Sequence, residues 1–173
     1  MPDNAPRRRH NGQSMVEFAI LLPMIVLMVM GLMMFGIIFG IQITLTEAAA
    51  AGARQAVVEE YCKLPGSEHH NTEIYQAVVK ALGWLGKENI QAITIYETTT
   101  DGGIGSYQDV LDKDGNQGSP YNFTNGRRCT LVQTFGYIGV RVTYRQPVFL
   151  PMINLITGDE IILQGQRIEI MRP

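Results

Sequence analysis

From Phe18 to Ile41 the chain runs for 24 residues without a charged side chain. As a helix rising about 1.5 Å per residue, that run is long enough to cross the hydrocarbon core of a bilayer. Immediately before it stands Glu17, and further upstream the basic patch Arg7-Arg8-Arg9. An acidic side chain at the mouth of a membrane span is costly and needs a reason. This arrangement sets the chain apart from an ordinary soluble protein.

It is also set apart from an ordinary secreted one. A secretory signal peptide has a basic stretch, an apolar run of about 7–15 residues and a small-residue cleavage site after the run. Here the run is too long, and the small residue, Gly12, stands before it. A cut after Gly12 would remove the leader, residues 1–12, and leave the apolar helix on the mature chain. That chain would begin at Gln13, with Glu17 as its fifth residue and Phe18 as its sixth.

Charge orients the chain and excludes one class of partner. The sequence holds 14 basic and 16 acidic side chains, a net charge of −2, and the leader takes away three arginines and one aspartate to leave −4. Nucleic-acid binding needs a basic face, so it is excluded. No Lys or Arg follows Arg9 until Arg54. The positive-inside bias therefore puts the leader in the cytoplasm and the C-terminal part on the other side of the inner membrane, in the periplasm. In that oxidising space Cys62 and Cys129 suit a disulfide, with two unpaired buried thiols as the alternative. In the loop-entropy account, closing the chain between them is worth about 4 kcal/mol.

The hydrophobic pattern predicts an α+β fold. Residues 13–60 read as one long helix, membrane-spanning over about 18–41, with Pro23, Gly31, Gly36 and Gly40 inside it. Such residues are tolerated in membrane helices. Gly36 and Gly40, four apart, offer a small-residue helix-packing face, although ordinary glycine frequency in a span also accounts for them. From Thr44 the helix turns alanine-rich, leaves the bilayer and must pack on residues 61–173. Leu64-Pro65-Gly66-Ser67 breaks it. Ile74, Val78, Leu82 and Leu85 recur at helical spacing within residues 72–85, and Gly86 is a stop. Residues 93–98 alternate and read as a strand. Residues 99–128, with six glycines, read as a long polar loop. Residues 136–149 read as a strand with Ile138, Val140, Val142 and Tyr144 on one side and Arg141, Thr143 and Arg145 on the other, Pro147 marking an edge or an end. Gly158-Asp159 is a turn, and residues 161–171 a last strand with Gly165 as a bulge. The sum is a long N-terminal transmembrane helix packed on a small antiparallel β-sheet domain.

Little in the remainder points to chemistry. Asp112, Asp114 and Asn116 place oxygen ligands at alternating positions, as calcium loops do, but the glycine is misplaced and the twelfth position is Phe123. Asp-Gly and Asn are also turn formers. His69 and His70, with Cys62, Glu68 and Glu73, match no zinc spacing. Gly102-Gly103-Ile104-Gly105 lacks the strand-helix context of a nucleotide site. There is no nucleophile elbow, no phosphate loop and no Cys-x-x-Cys. No catalytic residue, cofactor or resident metal is expected, and the chain does not read as an enzyme.

The segment Gly12-Gln13-Ser14-Met15-Val16-Glu17-Phe18-Ala19-Ile20-Leu21-Leu22-Pro23 resembles the class III signal of type IV prepilins. More specifically, it resembles the TadE-like minor pseudopilins of tight-adherence (Flp, type IVb/IVc) pilus systems. Glu47-Ala48-Ala49-Ala50-Ala51-Gly52-Ala53-Arg54-Gln55-Ala56 resembles the small-residue segment that closes that family's N-terminal region. Where family members often carry an acidic residue before Phe35-Gly36 and an arginine after, this chain has Met34 and Ile37. The resemblance implies a pilin-like fold, cleavage between Gly12 and Gln13 by a prepilin peptidase, and a role in pilus assembly and adhesion. It implies contacts with other pseudopilins or pilin subunits, the inner-membrane pilus platform and membrane lipid. It also implies that Glu17, with Phe18 beside it, meets the free amine of Gln13 on an adjacent subunit. The rival reading is a single-span anchor holding an unrelated periplasmic binding or enzymatic domain.

Overall fold

The computed structural model describes residues 13–57, 71–98, 103–134, 136–147, 158 and 160–170. The elements in chain order are α1 (Gln13–Ala56), α2 (Asn71–Leu82), a 3-10 turn (Gly83–Leu85), β1 (Ile90–Thr98), β2 (Ile104–Leu111), β3 (Gln117–Tyr121), α3 (Asn125–Gln133), β4 (Tyr137–Pro147) and β5 (Glu160–Ile170). A long apolar helix and a five-stranded antiparallel sheet make the α+β fold that the sequence predicts. The chain divides into two units, residues 1–39 and 40–173.

The first unit is described from Gln13 and is helical throughout, with Pro23 inside it. Most of its large apolar side chains stand exposed, among them Phe18, Ile20, Met24, Met28, Leu32 and Phe35, whereas Met34 is buried. A helix that is apolar all round needs an apolar surrounding, either a protein core or lipid. α1 is long and apolar enough to cross a membrane. A Cβ at Gly31 or Gly36 would meet nothing within 4 Å, and the same holds for Gly40 at the start of the second unit. These glycines therefore serve no close contact within the chain.

The second unit opens with the last 17 residues of α1, nearly five turns. Ile41, Leu45, Ala48, Ala49, Ala53 and Ala56 recur at helical spacing and are buried. Gly52 lies in the same stripe, where a Cβ would come 2.6 Å from Val78 Cγ2 and 3.2 Å from Val140 Cγ1. The alanine-rich composition thus has a packing cause: small side chains let α1 lie close on α2 and β4. In α2 the residues Ile74, Val78 and Leu82 are buried, and Leu85 in the 3-10 turn packs against the same core. The turn ends at Gly86, whose φ of 65° is open to glycine at little cost.

The sheet order is β3-β2-β1-β4-β5, antiparallel throughout. In β4, Ile138, Val140, Val142 and Tyr144 face the helices and join Ile93 and Ile95 of β1 in the core, as the alternation predicts. Pro147 is the last residue of β4, paired with Glu160, so it marks an end.

Two expectations are corrected. Gly165 is not a bulge: the β4–β5 ladder runs without a shift from Tyr137↔Ile170 to Pro147↔Glu160. Its missing side chain serves a helix contact instead, since a Cβ there would lie 2.3 Å from the carbonyl of Leu45. Residues 99–128 are not a loop, because they contain β2, β3 and the start of α3. Two of the glycines that suggested a loop are strand residues in close cross-strand contact. A Cβ would come 2.6 Å from the Glu97 carbonyl oxygen at Gly105, and 3.1 Å from that of Val110 at Gly118.

Candidate functional site

The candidate site begins where α1 begins. Gln13 is the first helical residue, and Gly12 immediately before it lies outside the described residues. A chain beginning at Gln13 would therefore be helical from its first residue. Glu17 follows four residues later, one turn along the same helix face. Glu17 and Phe18 are both exposed, so the carboxylate and the ring are displayed outward at the start of the apolar segment.

Residues 12–54 match a protein family described as TadE-like protein. The N-terminal region of this chain is TadE-like. The match starts at Gly12, takes in Glu17 and the whole apolar run, and ends at Arg54, two residues before α1 does. The match covers 43 of the 173 residues, so the likeness is of the N-terminal region alone. Neither a curated protein nor a solved structure matches the chain.

The other sequence-predicted positions fare differently. Cys129 lies in α3, whereas Cys62 is outside the described residues, as are His69, His70 and Glu68. The calcium candidate is a hairpin turn between β2 and β3. Asp112 Oδ1 accepts from the backbone N–H of Asp114 at 2.9 Å and of Asn116 at 2.8 Å, and Asp112 Oδ2 accepts from Asn116 Nδ2 at 3.0 Å. Asp114 Oδ1 takes Lys87 Nζ at 2.8 Å. The Asp112 oxygens are thus turned inward on their own loop and Asp114 is paired with a lysine, the arrangement of a plain turn. The hydrogen bonds from Asn116 are the largest cause holding the Asp112 carboxyl below its ordinary pKa. Among the described residues no group of three or more His, Cys, Asp or Glu side chains is placed to hold a metal.

One constellation escaped the sequence reading. Asp109 on β2 is fully buried, and Arg128 on α3 and Asn71 at the start of α2 are nearly so. Arg128 Nη2 donates to Asp109 Oδ2 at 3.1 Å and to Asn71 Oδ1. Asn71 Nδ2 donates to Asp109 Oδ2 at 2.8 Å and to the Tyr121 hydroxyl at 3.1 Å. The Phe123 N–H donates to Asp109 Oδ1 at 2.8 Å, and the Arg128 guanidinium lies 5.0 Å from the centroid of the Phe123 ring. Burial pushes the Arg128 guanidinium below its ordinary range, and the Asp109 charge opposes that shift. This network joins α2, β2, β3 and α3. Beside it, Arg127 grips Glu97 of β1 through Nη2 at 2.8 Å and Nε at 3.1 Å. The signal was hard to see: Asn71, Asp109 and Arg128 are separated by 38, 19 and 57 residues in their three pairings and follow no short motif.

Proposed function

We propose that the chain is a minor pseudopilin of TadE type, inserted in the inner membrane, cut after Gly12 by a prepilin peptidase, and used in assembly of a tight-adherence pilus. The observation that carries this reading is the family match over residues 12–54, which starts at the residue before the first turn of α1. In this reading the arginine-bearing leader stays in the cytoplasm and residues 61–173 lie outside. Its partners are the prepilin peptidase, other pseudopilin or pilin subunits, and the pilus platform. Cys62 and Cys129 form a disulfide in that outer space. The chain has two cysteines, and none of the described ones is a free thiol. Two readily alkylated thiols in protein recovered without reductant would rule the disulfide out.

Glu17 sets subunit registry by meeting the new amine of Gln13 on a neighbouring subunit. Glu17→Gln tests this, because glutamine keeps the size and most of the helix propensity and removes the charge. A charge-assisted contact in a low-dielectric setting is worth about 1.5–3 kcal/mol, so association should fall roughly tenfold to hundredfold. Insertion and cleavage survive, because the apolar run and Gly12 are untouched. The expected product is a processed, inserted, assembly-defective protein. Normal pilus assembly and unchanged cross-linking to the partner subunit in the Glu17→Gln strain would overturn the registry role.

A further inference from the structure

Within the second unit α1 has a bare face as well as a buried one. Ile41, Leu45, Ala48, Ala49, Ala53 and Ala56 are packed into the core of the unit. On the opposite side of the helix run Gly40, Ile43, Glu47, Ala50 and Arg54. Steps of three, four, three and four residues place them in one stripe along the axis, the repeat that seats one helix on another. Ile43 is 45% exposed, Glu47 and Arg54 are exposed, and Ala50 is half-buried. A Cβ at Gly40 would meet nothing within 4 Å. The stripe is therefore a helix face that the chain itself leaves uncovered.

Charge decides what fits there. Glu47 and Arg54 are the two charges on the stripe, opposite in sign, and neither has an ion pair among the described residues. They stand seven residues apart, two helical turns or about 10.5 Å, and do not serve each other. A second copy lying in register on the same stripe would set Glu47 against Glu47 and Arg54 against Arg54, which repels. Shifted by those seven residues, its Arg54 meets Glu47 and its Ala50 meets Ile43. The small side chain of Ala50 also lowers the helix surface, and interaxial distance follows the side chains at the contact. Such a pair leaves one Arg54 and one Glu47 unmet, ready for further copies, so the contact is heterologous and repeats. An antiparallel pair would match the charges too, but it closes at two copies, whereas a fibre needs a contact that does not close.

We propose that the stripe from Gly40 to Arg54 docks a second copy of this chain head to tail, with Glu47 of one copy on Arg54 of the next. The proposal rests on the reading of the chain as a subunit used in pilus assembly. The test uses two full-length chains, told apart by epitope tags and co-expressed in cells with active pilus assembly. One carries Ile43→Cys and the other Ala50→Cys, and the parent chain with its native cysteines gives the background. A mixed cross-link between positions 43 and 50 is expected. Glu47→Arg in both copies should lower the cross-linked fraction roughly fivefold, as should Arg54→Glu in both, and the two reversals together should restore it. Several results would overturn the docking: no mixed cross-link, a preference for 43–43 or 50–50 links, which report an in-register or antiparallel pair, or reversals without effect. The N-terminal mass of the same protein reads processing separately. A chain that begins at Gln13 without the mixed cross-link overturns the docking alone. A mixed cross-link in chains that keep residues 1–12 upholds the docking and overturns the processing.

Discussion

The backbone carbonyl of Leu45 on α1 sits against Gly165 on β5 so closely that a Cβ at Gly165 would lie 2.3 Å from its carbon and its oxygen. One step away, Gln42 Nε2 donates to the Gln164 carbonyl at 2.7 Å. Helix and edge strand therefore meet backbone to backbone, and glycine is the residue that allows it.

Gly165→Ala should push α1 off the sheet and destabilise the second unit by about 1–3 kcal/mol, the usual cost of overpacking. Gly126→Ala in α3 is the comparison, because a Cβ there would have only Thr124 Oγ1 at 4.0 Å. It should be neutral or slightly stabilising, since it removes freedom from the unfolded chain. Denaturant unfolding followed by circular dichroism reads both. An unchanged midpoint for Gly165→Ala would contradict the contact.

Asp109→Asn should cost far more than a surface change. It leaves the Arg128 guanidinium buried without its counter-charge, and removing one partner of a buried ion pair costs about 3–5 kcal/mol. Exchanging both partners, Asp109→Leu with Arg128→Met, should cost less than the sum of the single changes, because no charge is then stranded. The same unfolding measurement applies. A loss for Asp109→Asn within about 0.5 kcal/mol of the parent, the range of ordinary surface substitutions, would show that the network does not hold the second unit together.

What was legible in the sequence follows from what stabilises each element. The end of α1, the helix α2 and the strands β1 and β4 owe their burial to apolar periodicity: Ile74, Val78 and Leu82 at helical spacing, Ile138, Val140 and Val142 in alternation. That signal is local, so a single sequence displays it. The strands β2 and β3 and the helix α3 owe their places to ladder pairing and to Asp109, Arg128 and Asn71, whose partners are distant in the chain. Composition there is polar and glycine-rich, so it imitates a loop. Gly165 was misjudged for a related reason. A glycine in a strand signals either a bulge or a close approach, and only the position of Leu45 decides between them. The spacing of Gly12, Glu17 and the apolar run is wholly local, so a single sequence displays it.

The β2–β3 turn should carry a pH signature. The Asp112 carboxyl is held below its ordinary value of 3.8, first by the Asn116 side chain and then by backbone N–H groups. A depressed folded pKa means that the contribution is present above the unfolded pKa and is lost as pH falls through the folded one. The turn should therefore stay intact at neutral pH and loosen only below about pH 3.8. Carboxyl-carbon NMR of Asp112 should show a midpoint below that value, and Asn116→Ala should move it upward. A midpoint at or above 3.8 in the parent would contradict the arrangement.

The central claim is that this chain is processed as a pseudopilin, with α1 starting at the new N-terminus. The most direct measurement is the mass of the N-terminal peptide of protein purified from membranes of cells with active pilus assembly. The expected result is a chain that begins at Gln13, and an uncleaved chain in a Gly12→Leu variant, because the bulky leucine side chain would obstruct a peptidase site fitted to a small residue. Recovery of the parent protein with residues 1–12 intact would contradict it.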